Sequence, residues 1–355
     1  MTIADLARPE IRKLRPYQAA QQVEDTVRLN ANEAPWTSVA DEFRRPLNRY
    51  PEIRPSKLRR ALAERFGCRD EQLLVTRGTS EAIDLLIRAF CRPGIDNILT
   101  IAPTFSMYEH YATIQGASVT RVHADPLENF AVNAAELVNA CDESTRLIFI
   151  CTPNNPTGTS VSRETIEAVL SQCTGRQVVV VDEAYIEFSG NRSAADLLEK
   201  YDNLVVMRTL SKALAFAGAR CGAVMGASDL IGFLDAIQAP YALATPVVEC
   251  VENALQTERL REAEDQIGQI IAERARLVAK LKSYGLVRYI WPSDANFFLM
   301  QVSDTAVVME QTRSDQVLLR YFGGELSDCI RVTVGTVDEN NRLLESLYKL
   351  GERRA

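Results

Sequence analysis

The sequence predicts an α/β protein: a large unit built on a mostly parallel sheet with helices on both faces, followed by a smaller α+β unit. Three observations carry this. Short apolar strands and amphipathic helices alternate from residue 73 to Lys212, the order that builds a parallel sheet. One strand, Val178-Val179-Val180-Val181, is an unbroken apolar run, as expected where both faces of a sheet are covered. After Lys212 the pattern changes: a strand at 221–225 and a segment over 230–238 lead to a long charged helical stretch, residues 247–284, and then to short strands and helices.

The 355 residues, 46% of them hydrophobic, suffice for a large core and about two domains. A net charge of −7 argues against nucleic acid or an anionic membrane as partner, since either wants a basic face. The eight cysteines contain no C-x-x-C pair, so neither zinc nor redox chemistry is indicated. With only His110 and His123, a histidine triad or a multi-histidine metal site is not expected. The opening M-T-I-A-D-L-A-R-P-E does not read as a signal peptide, and no run of about 18 uncharged apolar residues occurs. A cytoplasmic enzyme of small molecules, without metal, is the expectation.

Residues 1–40 carry Pro9, Pro16 and Pro35, which suit an irregular arm, expected to join the small unit. Leu58, Leu62 and Phe66 mark one face of a helix over 55–66, which Gly67 ends. Strand 73–76 and the turn Arg77-Gly78-Thr79-Ser80 lead to a helix over 81–90 with Thr79 or Ser80 as its cap. Strands follow at 98–101, 119–122, 147–151, 178–181, 204–207 and 221–225, with helices through Tyr111, at 134–139 and at 163–173. The small unit reads as strands 287–290, 297–302, 316–321 and 329–334, with helices near 305–311 and 337–350. The division is therefore an arm at 1–40, a large unit at 41–260 and a small unit at 261–355.

Asn155, Asp182 and Lys212 each follow one of the strands. If those strands are parallel neighbours, the three side chains meet at the carboxyl edge of the sheet, where ligands bind. A lysine against apolar walls can lose its proton and attack an aldehyde. An acid converging on such a lysine suits pyridoxal phosphate, whose aldehyde bonds the lysine and whose protonated ring nitrogen the carboxylate holds. Asn155 and Tyr185 are then placed to bond its phenolic oxygen. Gly78-Thr79-Ser80 opens a helix, a favourable place for a phosphate, and Ser211 and Arg220 flank Lys212 to close the other side. Taken singly, these are also an ordinary cap, a turn and a surface lysine.

The set N-N-P-T-G (154–158), D-E-A-Y (182–185) and T-L-S-K with R-C-G (209–222) resembles the pyridoxal-phosphate aminotransferases of fold type I. The likeness spans almost the whole chain. It is greatest to the histidinol-phosphate aminotransferase subfamily, through L-N-A-N-E (29–33), N-R-Y-P-E (48–52), V-D-E-A-Y-I-E-F (181–188) and C-I-R-V-T-V-G-T (329–336). The resemblance implies a seven-stranded sheet and pyridoxal 5'-phosphate bonded to Lys212. It gives Asp182 the pyridine nitrogen, Asn155 and Tyr185 the phenolic oxygen, and Phe105 the stack on the ring, with Lys212, Asp182 and Tyr185 as the catalytic set. Gly78, Thr79, Ser80, Ser211 and Arg220 would hold the phosphate, joined by Tyr50 from a neighbouring subunit in a homodimer. Arg331, Arg320, Tyr17 and Asn32 become the substrate residues. Two departures stand out: Ser80 occupies a position often acidic in the family, and Phe105 one that is tyrosine in some relatives.

In Ile330-Arg331-Val332-Thr333-Val334 the alternation sets Arg331 on the face opposite the apolar one, exposed by pattern alone but in the site by resemblance. Its planar fork suits a carboxylate and a phosphate equally. The implied reaction moves the amino group of L-histidinol phosphate to 2-oxoglutarate. An aromatic amino acid as substrate, or decarboxylation or carbon–sulfur lysis on the same fold, remain as alternatives. A regulator on this fold would need a DNA-binding domain that residues 1–40 are too short and proline-broken to supply.

Overall fold

The structure, a computed structural model, describes residues 3–18, 22, 28–38 and 41–352. Its large sheet has seven strands: β1 (Leu73–Thr76), β2 (Asn97–Ala102), β3 (Ser118–His123), β4 (Thr145–Cys151), β5 (Val178–Asp182), β6 (Leu204–Thr209) and β7 (Gly222–Gly226). They lie in the order β1-β7-β6-β5-β4-β2-β3. All neighbours from β3 to β6 are parallel, whereas β7 runs antiparallel to both β6 and β1.

The valine run of β5 explains the layering, because successive side chains point to opposite faces. Val179 and Val181 pack into one core with α2 (Ser56–Phe66), α5 (Ala134–Asn139), α6 (Arg163–Cys173) and α8 (Thr245–Ala254). Val178 and Val180 pack into the other with α1 (Ile3–Leu6), α3 (Thr79–Phe90), α4 (Met107–Gln115) and α7 (Ser228–Ile237). All four valines are fully buried, each contributing about 1.5–3 kcal/mol of transfer free energy.

Three expectations are corrected. Residues 3–13 are not an arm against the small unit: Ile3, Leu6, Ala7 and Ile11 are buried with α3 and α7 on the large sheet, an apolar spacing that the prolines obscure. The stretch 247–284 is two helices, α8 and α9 (Thr257–Leu281), separated at Leu255–Gln256 with Gln256 extended. Val248 and Val251 of α8 must face the large core, whereas Leu277 and Leu281 of α9 face the small one. The strand foreseen at 316–321 begins only at Arg320, since Gln316 is left-handed (φ 61°) and Leu318 is 83% exposed.

The small unit is an antiparallel sheet, β8 (Val287–Ile290), β9 (Phe297–Val302), β10 (Arg320–Gly323) and β11 (Leu326–Thr333), in the order β10-β11-β9-β8. Its helices are α10 (Thr305–Ser314) and α11 (Val337–Glu352). The foreseen division at residue 260 falls inside α9. That helix joins the units: Ile267 packs with Ala184, Tyr185, Phe188 and Ala213 of the large unit and with Ala295 and Phe297 of the small one. Gly158 (φ +81°) lies so close to Ser293 that a Cβ would stand 2.2 Å from its Oγ, and Asp294 N donates to the Gly158 carbonyl at 2.8 Å. Among the described residues no helix is long and apolar enough to cross a membrane.

Candidate active site

Because β4, β5 and β6 are parallel neighbours, with Cys151 level with Asp182 and Asp182 level with Met207, Asn155, Asp182 and Lys212 emerge at one sheet edge. Asp182 is 2% exposed. Tyr108 donates its hydroxyl proton to Asp182 Oδ2 at 2.7 Å, and Ala184 N donates to Oδ1 at 3.1 Å. Burial nevertheless pushes the carboxyl up from 3.8 to about 6, against the Tyr108 and Ala184 bonds and the Lys212 charge.

Tyr108 was not foreseen as a site residue. It is fully buried on α4, stacked on Phe149 at 4.7 Å and edge-on to Phe105 at 5.7 Å, so the phenol's one polar atom is aimed by packing. The available signal was an aromatic residue three positions after Phe105 at the start of a helix. Tyr108→Phe removes a donor that favours the charged carboxylate, so the Asp182 pKa should rise above about 6. Carbon-13 titration of labelled aspartate checks this; an unmoved pKa would leave Tyr108 a packing residue.

Lys212 is solvent-exposed as a residue, with its ammonium 5.5 Å from the Tyr185 ring centroid. Crowding by protein, then the charges of Arg331 and Arg220, lower its pKa, and Asp182 opposes them. A lysine so placed deprotonates more readily than a surface one. Beside it, Asn155 Nδ2 donates to the Tyr185 hydroxyl at 3.5 Å, a long bond, and Tyr185 is held edge-on by Phe297 at 5.0 Å. Burial raises the Tyr185 pKa, so its hydroxyl keeps its proton.

The residues expected to hold a phosphate gather where β1 and β7 meet. Gly78 has φ +75°, a Cβ on it would lie 2.9 Å from Arg220 Nη2, and one on Gly222 would meet the Arg208 carbonyl at 2.6 Å. Glycine is therefore favoured at 78 by its left-handed φ and required at 222 by the approach of the Arg208 and Gly78 backbones. Neither Thr79 nor Ser80 caps α3. The helix begins at Thr79 itself, Gly78 precedes it without a side-chain bond, and Glu81 instead accepts from Arg77 N at 2.6 Å. The Thr79 and Ser80 N–H groups thus have no acceptor among the described residues and remain available for an anion. Arg220, left-handed at φ 52°, donates to Ser211 Oγ at 3.3 Å.

Arg331 reaches the same place from the small unit. Its Nη1 donates to Asn155 Oδ1, while its guanidinium lies 5.1 Å from the Phe297 centroid and 5.5 Å from that of Phe322. No carboxylate pairs with it among the described residues, and its Nε is buried without an acceptor. Burial lowers its pKa, Arg320 adds to that, and Tyr185 opposes. Arg320 sits directly opposite Arg331 across β10 and β11 and is exposed. Two cations facing each other across a strand pair repel, and an anion between them would relieve that repulsion. Phe297 and Phe322, the aromatic walls of this arginine, were likewise missed, being apolar strand residues in the sequence.

Three of the expected residues lie elsewhere in this chain. Tyr50 is 50% exposed and stacks on Tyr241 at 4.7 Å. Tyr17, 57% exposed, is near Tyr241 as well. Asn32 is exposed and left-handed at φ 55°, beside Glu33, whose carboxylate takes up Arg28, Arg49 and Tyr50 N. None of the three bonds to the Lys212 cluster.

The model of the class I and II aminotransferases matches residues 20–347. The chain belongs to this family. An aminotransferase of Xylella fastidiosa (strain 9a5c), named histidinol-phosphate aminotransferase, is 41% identical over 352 residues, 98% of this chain and 96% of that one. Among solved structures, the histidinol-phosphate aminotransferase of Sinorhizobium meliloti in complex with pyridoxal-5'-phosphate superposes with a TM-score of 0.78 at 21% identity, over 87% of this chain and 84% of that one. The L-threonine-O-3-phosphate decarboxylase of Porphyromonas gingivalis does so with a TM-score of 0.74 at 22% identity, over 86% and 91%. Aminotransferase and decarboxylase thus share this fold, and the reaction must be argued from the site.

Proposed function

We propose that this chain is a histidinol-phosphate aminotransferase: it transfers the amino group of L-histidinol phosphate to 2-oxoglutarate, giving imidazole acetol phosphate and L-glutamate, with pyridoxal 5'-phosphate as cofactor. The observation that carries the reading is Arg331, a half-buried guanidinium without a carboxylate partner, set at the Lys212 cluster and opposite Arg320. Near-full-length identity of 41% to a relative of that name supports it.

The residues present fit the cofactor. Gly78 leaves the space beside Arg220 that a side chain would fill, with Thr79, Ser80 and Ser211 around it for the phosphate. The buried Asp182 carboxyl, raised to about 6, stands ready for a cationic ring nitrogen. Phe105, half-buried and edge-on to Tyr108 at 5.7 Å, would supply the stacking face. When bound, pyridoxal phosphate supplies an aldehyde for the amino group and an electron sink for the substrate Cα. Lys212 Nζ would hold the cofactor and, as a free amine, would take the substrate Cα proton and return it. Asp182 would hold the ring nitrogen protonated; Tyr108 orients Asp182. Asn155 and Tyr185 would donate to the phenolic oxygen. Arg331 receives the phosphate of one substrate and the α-carboxylate of the other.

Arg331→Ala should therefore weaken both amino donors. A charge-assisted bond contributes about 1.5–3 kcal/mol, so kcat/KM should fall at least about tenfold for L-histidinol phosphate and for glutamate alike. Arg331→Lys should recover only part, lacking the paired geometry. Single-turnover measurement with each donor, and with an aromatic amino acid, tests the reading. A variant that harms one donor and spares the other means that the two anions do not share this site, and a wild-type preference for the aromatic donor overturns the assignment.

The working form is a homodimer in which Tyr50 bonds the cofactor phosphate of the partner subunit. Its half-exposed ring, turned to Tyr241 rather than to its own Lys212 cluster, supports this. Hybrids of Tyr50→Phe and Lys212→Ala subunits should regain activity, because one of their two sites combines a native Lys212 with a native Tyr50. Hybrids that form and stay inactive would refute it. All eight cysteines are free, which suits a cytoplasmic setting.

A further inference from the structure

A groove between α9 and β8 lies at the rim of the small sheet, along the edge strand that among the described residues has only β9 as neighbour. Its volume is about 650 Å³, inside the roughly 300–1,000 Å³ typical of small-molecule sites. Arg274 and Lys282 line it from the helix side and Arg288 from the strand, and among the described residues no carboxylate lines it. In a chain with 47 acids against 40 bases, that segregation is contrary to composition. Among the described residues none of the three makes an ion pair, although Asp294 and Asp328 act on Arg274 and Arg288 from further off.

Arg274 is the most constrained of the three. Its Nη1 donates to the Ala295 carbonyl, and burial lowers its pKa. A half-buried cation lacking a counter-charge is unfavourable, and an anion in the groove relieves it. Tyr289 adds a flat surface: it is 45% exposed, fixed at its tip by a 2.9 Å bond to Asn129 Oδ1 and braced edge-on by Trp291 at 5.2 Å. Val278, Val287 and Ile290 complete the apolar lining.

We propose that this groove binds a phosphorylated small molecule carrying a flat ring, its phosphate between Arg274, Lys282 and Arg288 and its ring against Tyr289. Nucleotides share that chemistry with imidazole phosphates, and only the second source rests on the aminotransferase reading. The test uses holoenzyme carrying Trp36→Phe, which leaves Trp291, a groove residue, as the sole tryptophan. ATP and, separately, L-histidinol phosphate are titrated against tryptophan emission, with pyrophosphate as the ringless control. At least one of the two ring ligands should change the emission saturably, and pyrophosphate should bind at least about tenfold more weakly than it does. Lys282→Glu with Arg288→Glu should weaken the response at least about tenfold while the cofactor's absorbance change with substrate persists. Lys282→Ala with Arg288→Ala serves if charge reversal prevents folding, with a loss of several-fold expected. Absence of a saturable change with both ring ligands, a response that survives in the groove variants, or equal binding of pyrophosphate overturns the proposal.

Discussion

Lys212→Ala should give a folded protein that takes up pyridoxal phosphate without bonding it and turns over at least about 10⁴-fold more slowly, the scale seen when a covalent catalytic group is removed. The fold should survive because the Lys212 side chain makes no hydrogen bond or ion pair among the described residues, and its ammonium is repelled by Arg331 and Arg220. Its loss therefore removes repulsion, and without cofactor the melting temperature should hold or rise slightly. Asp182 loses the Lys212 charge that holds its carboxyl down, so that pKa should climb above about 6. Borohydride reduction of wild-type holoenzyme followed by peptide mapping decides the assignment: the pyridoxyl label belongs on the Lys212 peptide, and its appearance on another lysine would falsify the site.

Much of the site was legible because the chemistry lies at strand ends, and apolar runs such as Val178-Val179-Val180-Val181 make those ends visible. Asn155, Asp182 and Lys212 follow from that pattern together with parallel order. Strand direction does not show in periodicity, so the antiparallel β7, which brings Gly222 against Gly78, was not readable. Nor was the partner of Tyr108, 74 residues away, or that of Arg331, 176 residues away. Side-chain propensity also misled locally. Thr79 and Ser80 look like caps, yet Gly78, at φ +75°, makes the turn one residue sooner and leaves their amides for an anion. Arg331 was legible as lying off the apolar face, but what covers it, Phe297 and Phe322, comes from two other strands.

Asp182→Asn should retain the cofactor, lose on the order of 10²- to 10³-fold in the half-reaction, and melt higher when the cofactor is absent. The first effect follows because an amide cannot hold the ring nitrogen protonated, and preorganised charge of this kind accounts for about that factor. The second follows from linkage. The Asp182 carboxyl titrates at about 6 in the folded chain against an ordinary 3.8, so folding takes up a proton between those values. Its contribution to stability is complete below about pH 4 and is lost as the pH rises through about 6. At about pH 8 the buried carboxylate costs about 3 kcal/mol, which asparagine avoids while its amide oxygen still accepts from Tyr108 or Ala184. The cofactor-free variant should thus outlast the wild type at about pH 8, with the gap closing toward about pH 4. Added cofactor should reverse the order, because a pyridinium gives the wild-type carboxylate the counter-charge it lacks. Melting curves at the two pH values, with and without cofactor, read each step. A variant that melts lower at about pH 8 would mean that the Tyr108 and Ala184 bonds outweigh the buried charge, and near-normal half-reaction rates would remove Asp182 from the mechanism.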